Sequence, residues 1–152
     1  MIAGAGAYKK VHLLDASTGQ TTSFAAHDQP IRSLRFVTVP GAQSPIIATG
    51  SWDKTVQYWD TRATNSPLAT LKCKDRVFSM DASGKLLVIA TAEQHIHVVD
   101  LQANPGAFQN TLTSELKHAS RVVTAYPDAS GYALGGIEGR CSMKTFNDIN
   151  NM

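Results

Sequence analysis

The sequence has little of what would define several protein classes. It contains only two cysteines, Cys73 and Cys141, which are too few for a disulfide framework or a zinc knuckle. The longest apolar stretch, residues 86–92 with Thr91 inside it, is no longer than one strand. Residues 1–4 lack the basic segment and the long apolar core of a signal peptide. We therefore expect a soluble protein of a reducing, intracellular compartment that is not exported.

Charge is also scarce. Lys and Arg number 14 against 12 Asp and Glu, so the formal net charge is +2, and charged residues make up 17% of the 152 residues. A protein that grips a nucleic acid backbone by itself has a much denser basic surface. The hydrophobic share of 43% is that of a globular chain and not of a disordered one. We expect one globular domain, and the charge alone names no partner.

An internal repeat organises the chain. Residues 51–60 (SWDKTVQYWD) match residues 91–100 (TAEQHIHVVD) position for position, 40 residues later. Fainter copies occupy residues 6–15 and 136–145, and each is offset by 45 residues from the neighbouring copy. Such a period is typical of supersecondary units that stack on one another, so the content of one unit predicts the fold.

Each unit predicts strands and no helix. Short β-rich runs precede the copies, at residues 31–37, 45–48, 77–81, 86–90, 122–126 and 132–134. Turn dipeptides separate them at Pro40-Gly41, Ser83-Gly84 and Ser130-Gly131. Four strands in 40 to 45 residues, with a Trp-Asp pair closing the third strand, are the signature of a WD-repeat blade. The predicted fold is all-β, a WD-repeat β-propeller.

The predicted propeller is incomplete. The repeat units fall at about residues 1–19, 20–65, 66–104 and 105–152, from the second strand of one blade to the third strand of another. This makes about three and a half blades, whereas a propeller needs at least four to close. We expect a fragment with unpaired strand edges at both ends and with residues 149–152 as a truncated loop.

A polar set in the second unit predicts a structural network. His27, Ser51, Asp53 and Trp59 occupy the places where WD-repeat proteins, which this chain resembles, carry side chains that satisfy one another's hydrogen bonds. A buried polar group without a partner costs about 1–3 kcal/mol, which keeps such a set together. The set is complete only in this unit. The next two units carry Cys73, Thr91, Glu93 and Val99, then His118, Gly136, Glu138 and Lys144, at the same places.

Five stretches are more specific than the repeat requires, at residues 26–36, 50–62, 75–81, 87–93 and 135–140. Together they resemble the Rae/Gle family, the messenger-RNA export propellers of the nuclear pore. The mitotic-checkpoint Bub-type propeller shares the Ser-Trp-Asp and Ile-Glu-Gly-Arg elements and is the alternative. Residues 90–93 (ATAE) and 116–118 (LKH) favour the export family.

The resemblance implies a binding platform without catalysis. Members of the export family form a complete seven-bladed propeller that holds the acidic GLEBS segment of an FG nucleoporin and supports mRNA export. Their place is the nucleus and the nuclear envelope, at the pore, with some protein in the cytoplasm. RNA or messenger ribonucleoprotein is at most an indirect partner, and no cofactor, metal, membrane or small-molecule substrate is implied. Checkpoint relatives, the alternative function, hold a kinase-derived acidic segment by the same face.

The residues expected to bind such a segment share one end of the blades. Turns between the second and third strands, and loops leading into the first strand, emerge at the same end of every blade. Arginine offers a planar fork for a carboxylate, and an exposed tryptophan is typical of interface hot spots. The predicted partner-binding residues are Arg140, Trp52, Arg121, Arg76, Lys117 and Lys54. By the resemblance, Arg140 matches the family arginine that reaches the bound segment, and Trp52 matches the tryptophan of the same face.

Structural roles stay open for the same residues. Trp52 alternatively packs on a neighbouring blade, since tryptophan is amphipathic and often half buried. Arg140 alternatively pairs with Glu138 or Glu93, and Arg76 and Arg121 alternatively pair with carboxylates of the blades. The lysines are alternatively solvated charges, each worth well under about 1 kcal/mol in an exposed pair.

Signatures of an enzyme or of a metal site are weak. His95 and His97 alternate along a strand and so share one face, but a third ligand is missing nearby, and we expect both to face solvent between blades. Ser51, His27 and Asp53 resemble a catalytic triad. The repeat explains that set better, because a hydrogen-bonded set that recurs in decayed form is a structural device. We expect a protein that is not an enzyme.

Overall fold

The computed structural model describes residues 1–146, so the predicted loop at residues 149–152 lies outside the described part. No helix in the described residues is long and apolar enough to cross a membrane. The secondary-structure elements of this part are 14 strands. They are β1 (Ile2–Ala5), β2 (Lys10–Leu14), β3 (Thr21–Ala25), β4 (Ile31–Val37), β5 (Ile46–Ser51), β6 (Thr55–Asp60), β7 (Ala69–Lys72), β8 (Val77–Ser83), β9 (Leu86–Thr91), β10 (His95–Asp100), β11 (Asn110–Thr113), β12 (Ser120–Ala125), β13 (Gly131–Gly136) and β14 (Cys141–Thr145).

Strands that follow one another in sequence pair into four antiparallel sheets. In chain order, sheet 1 is β1-β2-β3, sheet 2 is β4-β5-β6-β7, sheet 3 is β8-β9-β10-β11 and sheet 4 is β12-β13-β14. The sheets contact one another in the same order, since β1 lies against β4, β4 against β8, and β8 against β12. The prediction of an all-β WD-repeat propeller is confirmed, as a partial propeller that is not closed.

Repeat units and sheets are offset from each other by one strand. The unit predicted at residues 20–65 contributes β3 to sheet 1 and then β4, β5 and β6 to sheet 2. The unit at residues 66–104 likewise begins with β7, which completes sheet 2, before it enters sheet 3. Each of these units therefore joins two sheets through backbone hydrogen bonds as well as through the chain.

Three apolar cores fill the spaces between neighbouring sheets. The core between sheets 1 and 2 is built around Val11, Leu13, Ile47 and Trp59. The core between sheets 2 and 3 includes Ile46, Val56, Tyr58, Met80 and Ile89. The core between sheets 3 and 4 includes Val88, Ile96, Val123, Tyr132 and Leu134. Sheets 2 and 3 are thus covered on both faces, and every residue of β5 and β9 is buried.

Burial on both faces explains the composition of the second strands. β5 (IIATGS) and β9 (LLVIAT) begin with apolar runs and carry only small or hydroxyl side chains after them, without a polar alternation, as expected of strands with no solvent face. The packing is closest at Gly50, where an added Cβ would lie 2.6 Å from Cγ1 of Val77 and 2.9 Å from Sδ of Met80. Glycine at this position lets sheet 3 approach sheet 2.

Serine hydroxyls join the first strands of neighbouring sheets. The backbone N–H of Met80 in β8 donates to Oγ of Ser33 in β4 at 3.1 Å. One sheet further along, the N–H of Val123 in β12 donates to Oγ of Ser79 in β8 at 3.2 Å. Both serines are the third residue of their strand, directly after the irregularity in register that opens each of these strand pairs. The repeat therefore places the same link at two successive sheet junctions.

Asp81 adds a second link at both junctions. Its Oδ1 accepts a hydrogen bond from Nε of Arg35 in β4 at 3.1 Å, and its Oδ2 accepts one from the N–H of Ala125 in β12 at 2.9 Å. One carboxylate thus contacts sheets 2, 3 and 4 together. Because β12 is an edge strand of sheet 4 and pairs with β13 on one side only, this bond satisfies a donor that the strand ladder does not use.

The turns between the second and third strands share one backbone geometry. Lys9, Lys54, Gln94 and Gly139 occupy the same position in the four turns and have φ of 64°, 68°, 66° and 74°. Three of these residues carry side chains, although the left-handed region is sparsely populated by residues other than glycine. The carbonyls of Lys54 and Gln94 accept hydrogen bonds of 2.8 and 2.7 Å from residues that follow the fourth strand. These bonds hold each turn against the loop that leads to the next sheet.

Replacing Gly50 with alanine is expected to destabilise the protein by about 1–3 kcal/mol, because the added methyl group overlaps Val77 and Met80 in the core. The midpoint of urea denaturation measures the change. Gly4→Ala is the matched control, since an added Cβ there meets no atom within 4 Å. Equal midpoints for the two variants would contradict the close packing of sheets 2 and 3.

Candidate functional site

A chain of hydrogen bonds links four side chains of sheet 2 and of the loop before it. Nδ1 of His27 lies 2.8 Å from Oδ2 of Asp53, and Nε2 lies 2.8 Å from Oγ1 of Thr49. Nε1 of Trp59 donates to the same Thr49 hydroxyl oxygen at 3.1 Å. A neutral imidazole has one donor and one acceptor nitrogen. If Nδ1 of His27 carries the proton, it donates to Asp53, and Nε2 accepts the Thr49 O–H, so each of these polar groups has a hydrogen-bond partner.

The prediction that Ser51 belongs to this set is wrong in its detail, because Thr49 supplies the shared hydroxyl. Oγ of Ser51 lies 3.0 Å from the carbonyls of Gln29 and Pro30, and it accepts the N–H of Asp53 at 3.1 Å. Thr49 and Ser51 are two residues apart on β5 and so point to the same side of the strand. Thr49 contacts both His27 and Trp59, whereas Ser51 bonds only to backbone groups of the loop and the turn.

Asp53 is held as a carboxylate by its neighbours. Partial burial raises its pKa, but hydrogen bonds from Thr55 and His27 outweigh that effect, so the pKa of Asp53 lies below its usual value. Thr55 donates twice to Oδ1, from its N–H at 2.9 Å and from its hydroxyl at 2.6 Å. The look-alike triad is therefore used within the fold, and Ser51 is fully buried.

The corresponding place in the next unit has lost this network. Cys73 replaces the histidine there and is buried. Burial, with a smaller effect from the charge of Asp53, raises the pKa of the Cys73 thiol to about 12, so the thiol stays protonated at neutral pH. Thr91 donates instead to the carbonyl of His95 at 2.9 Å within its own sheet. Apolar packing, and not a polar chain, fills this part of sheet 3.

The expectation that His95 and His97 face solvent is wrong for His97, which is 1% exposed. Its ring stacks on Phe108 with centroids 4.2 Å apart. Nε2 accepts the N–H of Lys74 at 3.3 Å, so Nδ1 carries the proton and donates to Oγ1 of Thr111 at 2.9 Å. Burial, with smaller effects from His95 and Lys74, lowers the pKa of His97 to about 4. Within residues 1–146, no group of three or more His, Cys, Asp or Glu side chains is placed to hold a metal ion.

The predicted partner-binding residues lie at one end of the sheets, which we call the turn face. It comprises the turns between second and third strands and the loops that lead into first strands. In each of three sheets one hydrogen bond joins the turn to the loop that leads into the first strand: Trp52 N–H to Pro30 carbonyl at 3.1 Å, Ala92 N–H to Arg76 carbonyl at 2.9 Å, and Ile137 N–H to Ala119 carbonyl at 3.3 Å. The repeat thus gives the turn face the same construction in three successive sheets.

Trp52 and Arg76 meet on the turn face across the junction of sheets 2 and 3. The guanidinium carbon of Arg76 lies 5.7 Å from the centre of the Trp52 ring and 5.8 Å from that of Phe78. Trp52 remains 39% exposed, so it packs partly on the neighbouring sheet and partly faces solvent. Arg76 therefore stacks on aromatic rings and makes no ion pair with a described carboxylate.

A groove of about 730 Å³ opens beside this stack. Sheet 2 contributes Trp52 and Arg32 to its lining, sheet 3 contributes Phe78, and sheet 4 contributes Arg121 and Ile137. Ile137 is 55% exposed, and neither arginine pairs with a carboxylate in the described part of the chain. The structure thus brings Trp52 and Arg121 into one concave, partly apolar surface, with Arg76 at its edge.

Arg140 lies at the end of the turn that begins with Ile137. Its Nε is 4.0 Å from Oε2 of Glu138, whose Oε1 lies 3.3 Å from Nε2 of His118. The Arg140 side chain is 72% exposed, so this pair contributes little to stability. Lys54 and Lys117 are exposed on the same face, where Gln94 donates to the carbonyl of Lys117 at 2.7 Å.

Aspartates gather at the opposite end of the sheets. Asp15, Asp60, Asp100 and Asp128 each accept hydrogen bonds from backbone N–H groups two or three residues later in the chain. These turn bonds, together with those from Ser17, Ser44 and Ser130, hold the pKa of the four carboxyls below the usual value. Three of these four aspartates are the last residue of a repeat copy, so the sequence could have indicated their common position. Their position opposite the turn face was not predicted.

The chain is similar to one known domain family and to several named proteins. Residues 18–60 match the family described as WD domain, G-beta repeat. The chain is 44% identical to the mRNA export factor GLE2 of Chaetomium thermophilum over 97% of its length, and 40% identical to the Poly(A)+ RNA export protein of Schizosaccharomyces pombe over 98%. It is 51% identical to the WD40 repeat protein poxJ of Penicillium oxalicum over 84%. The chain spans about two fifths of these relatives, 40%, 42% and 37% of their lengths.

Thr49→Val is expected to cost about 1–3 kcal/mol of stability, because it leaves buried donors of Trp59 and the ring nitrogen of His27 without a partner. The free energy of unfolding in urea measures the cost. Thr70→Val, at an exposed position of β7, is the matched control and should change stability by no more than about 0.5 kcal/mol. If Thr49→Val left stability unchanged and Ser51→Ala lowered it, Ser51 and not Thr49 would be the hydroxyl of the network.

Acid is expected to destabilise the fold through His97 before the carboxylates titrate. The folded pKa of about 4 lies below the ordinary 6.5, so the unfolded chain binds the extra proton first. The contribution of His97 is complete above about pH 6.5, falls as the pH drops, and levels off near pH 4. Urea titrations between pH 7 and pH 4 measure this slope, which His97→Gln should reduce and which His12→Gln, at an exposed position of β2, should leave unchanged. Identical slopes in both variants would exclude His97 as the source.

Proposed function

We propose that the chain is part of a WD-repeat protein of the Rae/Gle type and that it acts in mRNA export as an adaptor without catalysis, which its similarity to the mRNA export factor GLE2 and to the Poly(A)+ RNA export protein supports. Its turn face binds an acidic segment of the GLEBS type from an FG nucleoporin. This contact ties the protein to the nuclear pore, within the nucleus and its envelope, and any contact with messenger ribonucleoprotein is indirect. The whole protein would act as a platform that brings cargo and nucleoporin together.

The observation that carries the proposal is the set of arginines on the turn face that lack carboxylate partners. Arg32, Arg76 and Arg121 pair with no described carboxylate, and Arg140 has only a long, exposed contact to Glu138. An acidic segment would supply the missing carboxylates, and arginine binds them in a planar, bidentate way. The net charge is only +2, but two acids of the turn face already have partners, since Asp53 bonds to His27 and Thr55 and Glu138 lies near His118 and Arg140.

An adaptor also accounts for the polar groups that resemble an active site. His27 and Asp53 are occupied by Thr49 and Thr55, and Ser51 has no exposed surface to offer a substrate. A nucleophile must be reachable and next to a free base. The set is consistent with a structural role, and the binding face lies on side chains outside it.

Arg140→Glu is expected to weaken binding of a GLEBS-type nucleoporin peptide at least about tenfold, equivalent to about 1.4 kcal/mol, because it replaces an attractive charge by a repulsive one. Fluorescence anisotropy of the labelled peptide with the purified protein measures the affinity. Arg62→Glu is the matched control, since Arg62 is exposed at the opposite end of sheet 2 and makes the same change in net charge. Unchanged affinity of Arg140→Glu would remove Arg140 from the binding face.

The same assay separates the export function from the checkpoint function. A kinase-derived acidic segment, added as a competitor, should displace the nucleoporin peptide only at higher concentration than the unlabelled nucleoporin peptide itself. If the kinase segment is the better competitor, the chain belongs to the checkpoint branch in function, and the export proposal fails.

A further inference from the structure

The stack of Arg76 on two aromatic rings gives the groove on the turn face a second feature besides its charge. Trp52 follows β5 of sheet 2, whereas Arg76 and Phe78 belong to the start of β8 in sheet 3. The guanidinium lies within 6 Å of both ring centres, the distance at which cation–π attraction is appreciable. The three side chains therefore form one unit across the sheet junction, and each ring limits the positions that the guanidinium can take.

The hydrogen-bonding edge of Arg76 remains available in this arrangement. The nearest acid in sequence, Asp75, accepts the backbone N–H of Arg76 at 2.7 Å, which does not engage the guanidinium. The described residues include no carboxylate that pairs with Arg76. A guanidinium that is already fixed in place loses less conformational freedom when it binds a carboxylate than a free one does. The stack thus prepares Arg76 as a receptor for one carboxylate.

Next to this receptor the groove is apolar. Phe78 and Ile137 lie on its two sides, and more than half of Ile137 is exposed. Arg32 and Arg121 also line the groove, so positive charge surrounds the apolar surface. A cavity of about 730 Å³ falls in the range of sites that take up bulky groups. Such a surface matches a peptide that places an apolar side chain beside carboxylates.

We infer that this groove binds one bulky apolar side chain of an acidic peptide segment while Arg76, held by Trp52 and Phe78, receives an adjacent carboxylate. The inference rests on the proposed function and specifies which part of the acidic segment the groove recognises. Trp52 is then a positioning residue, since it acts mainly by orienting Arg76. An RNA ligand fits less well, because the two aromatic faces that would stack on bases are already in contact with Arg76.

The test measures binding of the labelled GLEBS-type nucleoporin peptide to five variants of the protein. Arg76→Gln and Trp52→Ala should each weaken binding about tenfold, and the double variant should be no weaker than either single one, because the two residues act as a unit. Trp52→Phe should retain binding, since phenylalanine keeps an aromatic face under the guanidinium. Arg62→Gln, which removes an exposed arginine at the opposite end of sheet 2, is the control and should bind normally.

Folding of each variant is checked through Trp59. This residue is 3% exposed and is the remaining tryptophan in Trp52→Ala, so its emission reports the core between sheets 1 and 2 directly. Trp52→Phe also leaves Trp59 as the single tryptophan, so equal emission of these two variants, with the urea midpoint of the parent protein, shows that the core is intact. For Arg76→Gln and Arg62→Gln the urea midpoint is compared with that of the parent protein. The conservative Trp52→Phe variant provides the same comparison if Trp52→Ala fails to fold.

The peptide itself provides the second arm. Its apolar residues are replaced with alanine one at a time. At one position the replacement should strongly reduce the affinity for the parent protein and should not reduce the affinity for an Ile137→Asp variant. Additive losses of Trp52 and Arg76, or a peptide series without such a position, would overturn the inference while leaving the Arg140 result and the proposed function intact. A peptide that does not bind the parent protein overturns both, and displacement by poly(U) at equal concentration would assign the groove to phosphate ligands instead.

Discussion

Packing of sheet against sheet is the constraint on which the rest of this structure depends. β5 and β9 have no solvent-exposed residue, so sheets 2 and 3 would each expose apolar side chains to water if isolated. Each is stabilised by neighbours on both sides, through cores that contain side chains from two sheets at a time. The hydroxyl links at Ser33 and Ser79 fix how far one sheet slides along the next. Stability therefore resides in the junctions between sheets more than in any single sheet.

The same constraint builds the turn face. Because neighbouring sheets are locked in position, the turn after β5 always meets the loop before β8, and Trp52 meets Arg76. Lys54 and Gln94 have left-handed backbone conformations, which are unfavourable for residues with a side chain. Hydrogen bonds from the loops that follow hold these two turns in place. Side chains with no part in the core are thereby presented in fixed relative positions, as a binding surface requires.

Repeat reasoning predicts the strands and most of the polar network, but it does not resolve contacts that form between units. The strand at residues 31–37 follows from its β-rich pattern, and the roles of His27, Asp53 and Trp59 follow from the resemblance of this unit to WD-repeat proteins. Alternation along β5 does not decide between Thr49 and Ser51, because both side chains point the same way, and the choice depends on which hydroxyl the fold places between His27 and Trp59. The burial of His97 depends on Phe108, which lies in the loop after β10, and the stack on Arg76 depends on the register between two sheets. Such contacts need the assembled structure.

The basic character of the turn face arises from where the acids are used and not from an excess of base. Asp15, Asp60, Asp100 and Asp128 serve turns at the opposite end of the sheets, each on its own backbone donors. On the turn face Asp53 is bonded to His27 and Thr55, and within the strands Asp81 is bonded to Arg35 and Ala125 at the sheet junctions. These carboxylates bond within the fold, whereas arginines of the turn face have no carboxylate partner among the described residues. A chain with a net charge of only +2 therefore has one basic end. The acidic segment proposed as the partner would supply the carboxylates that these arginines lack.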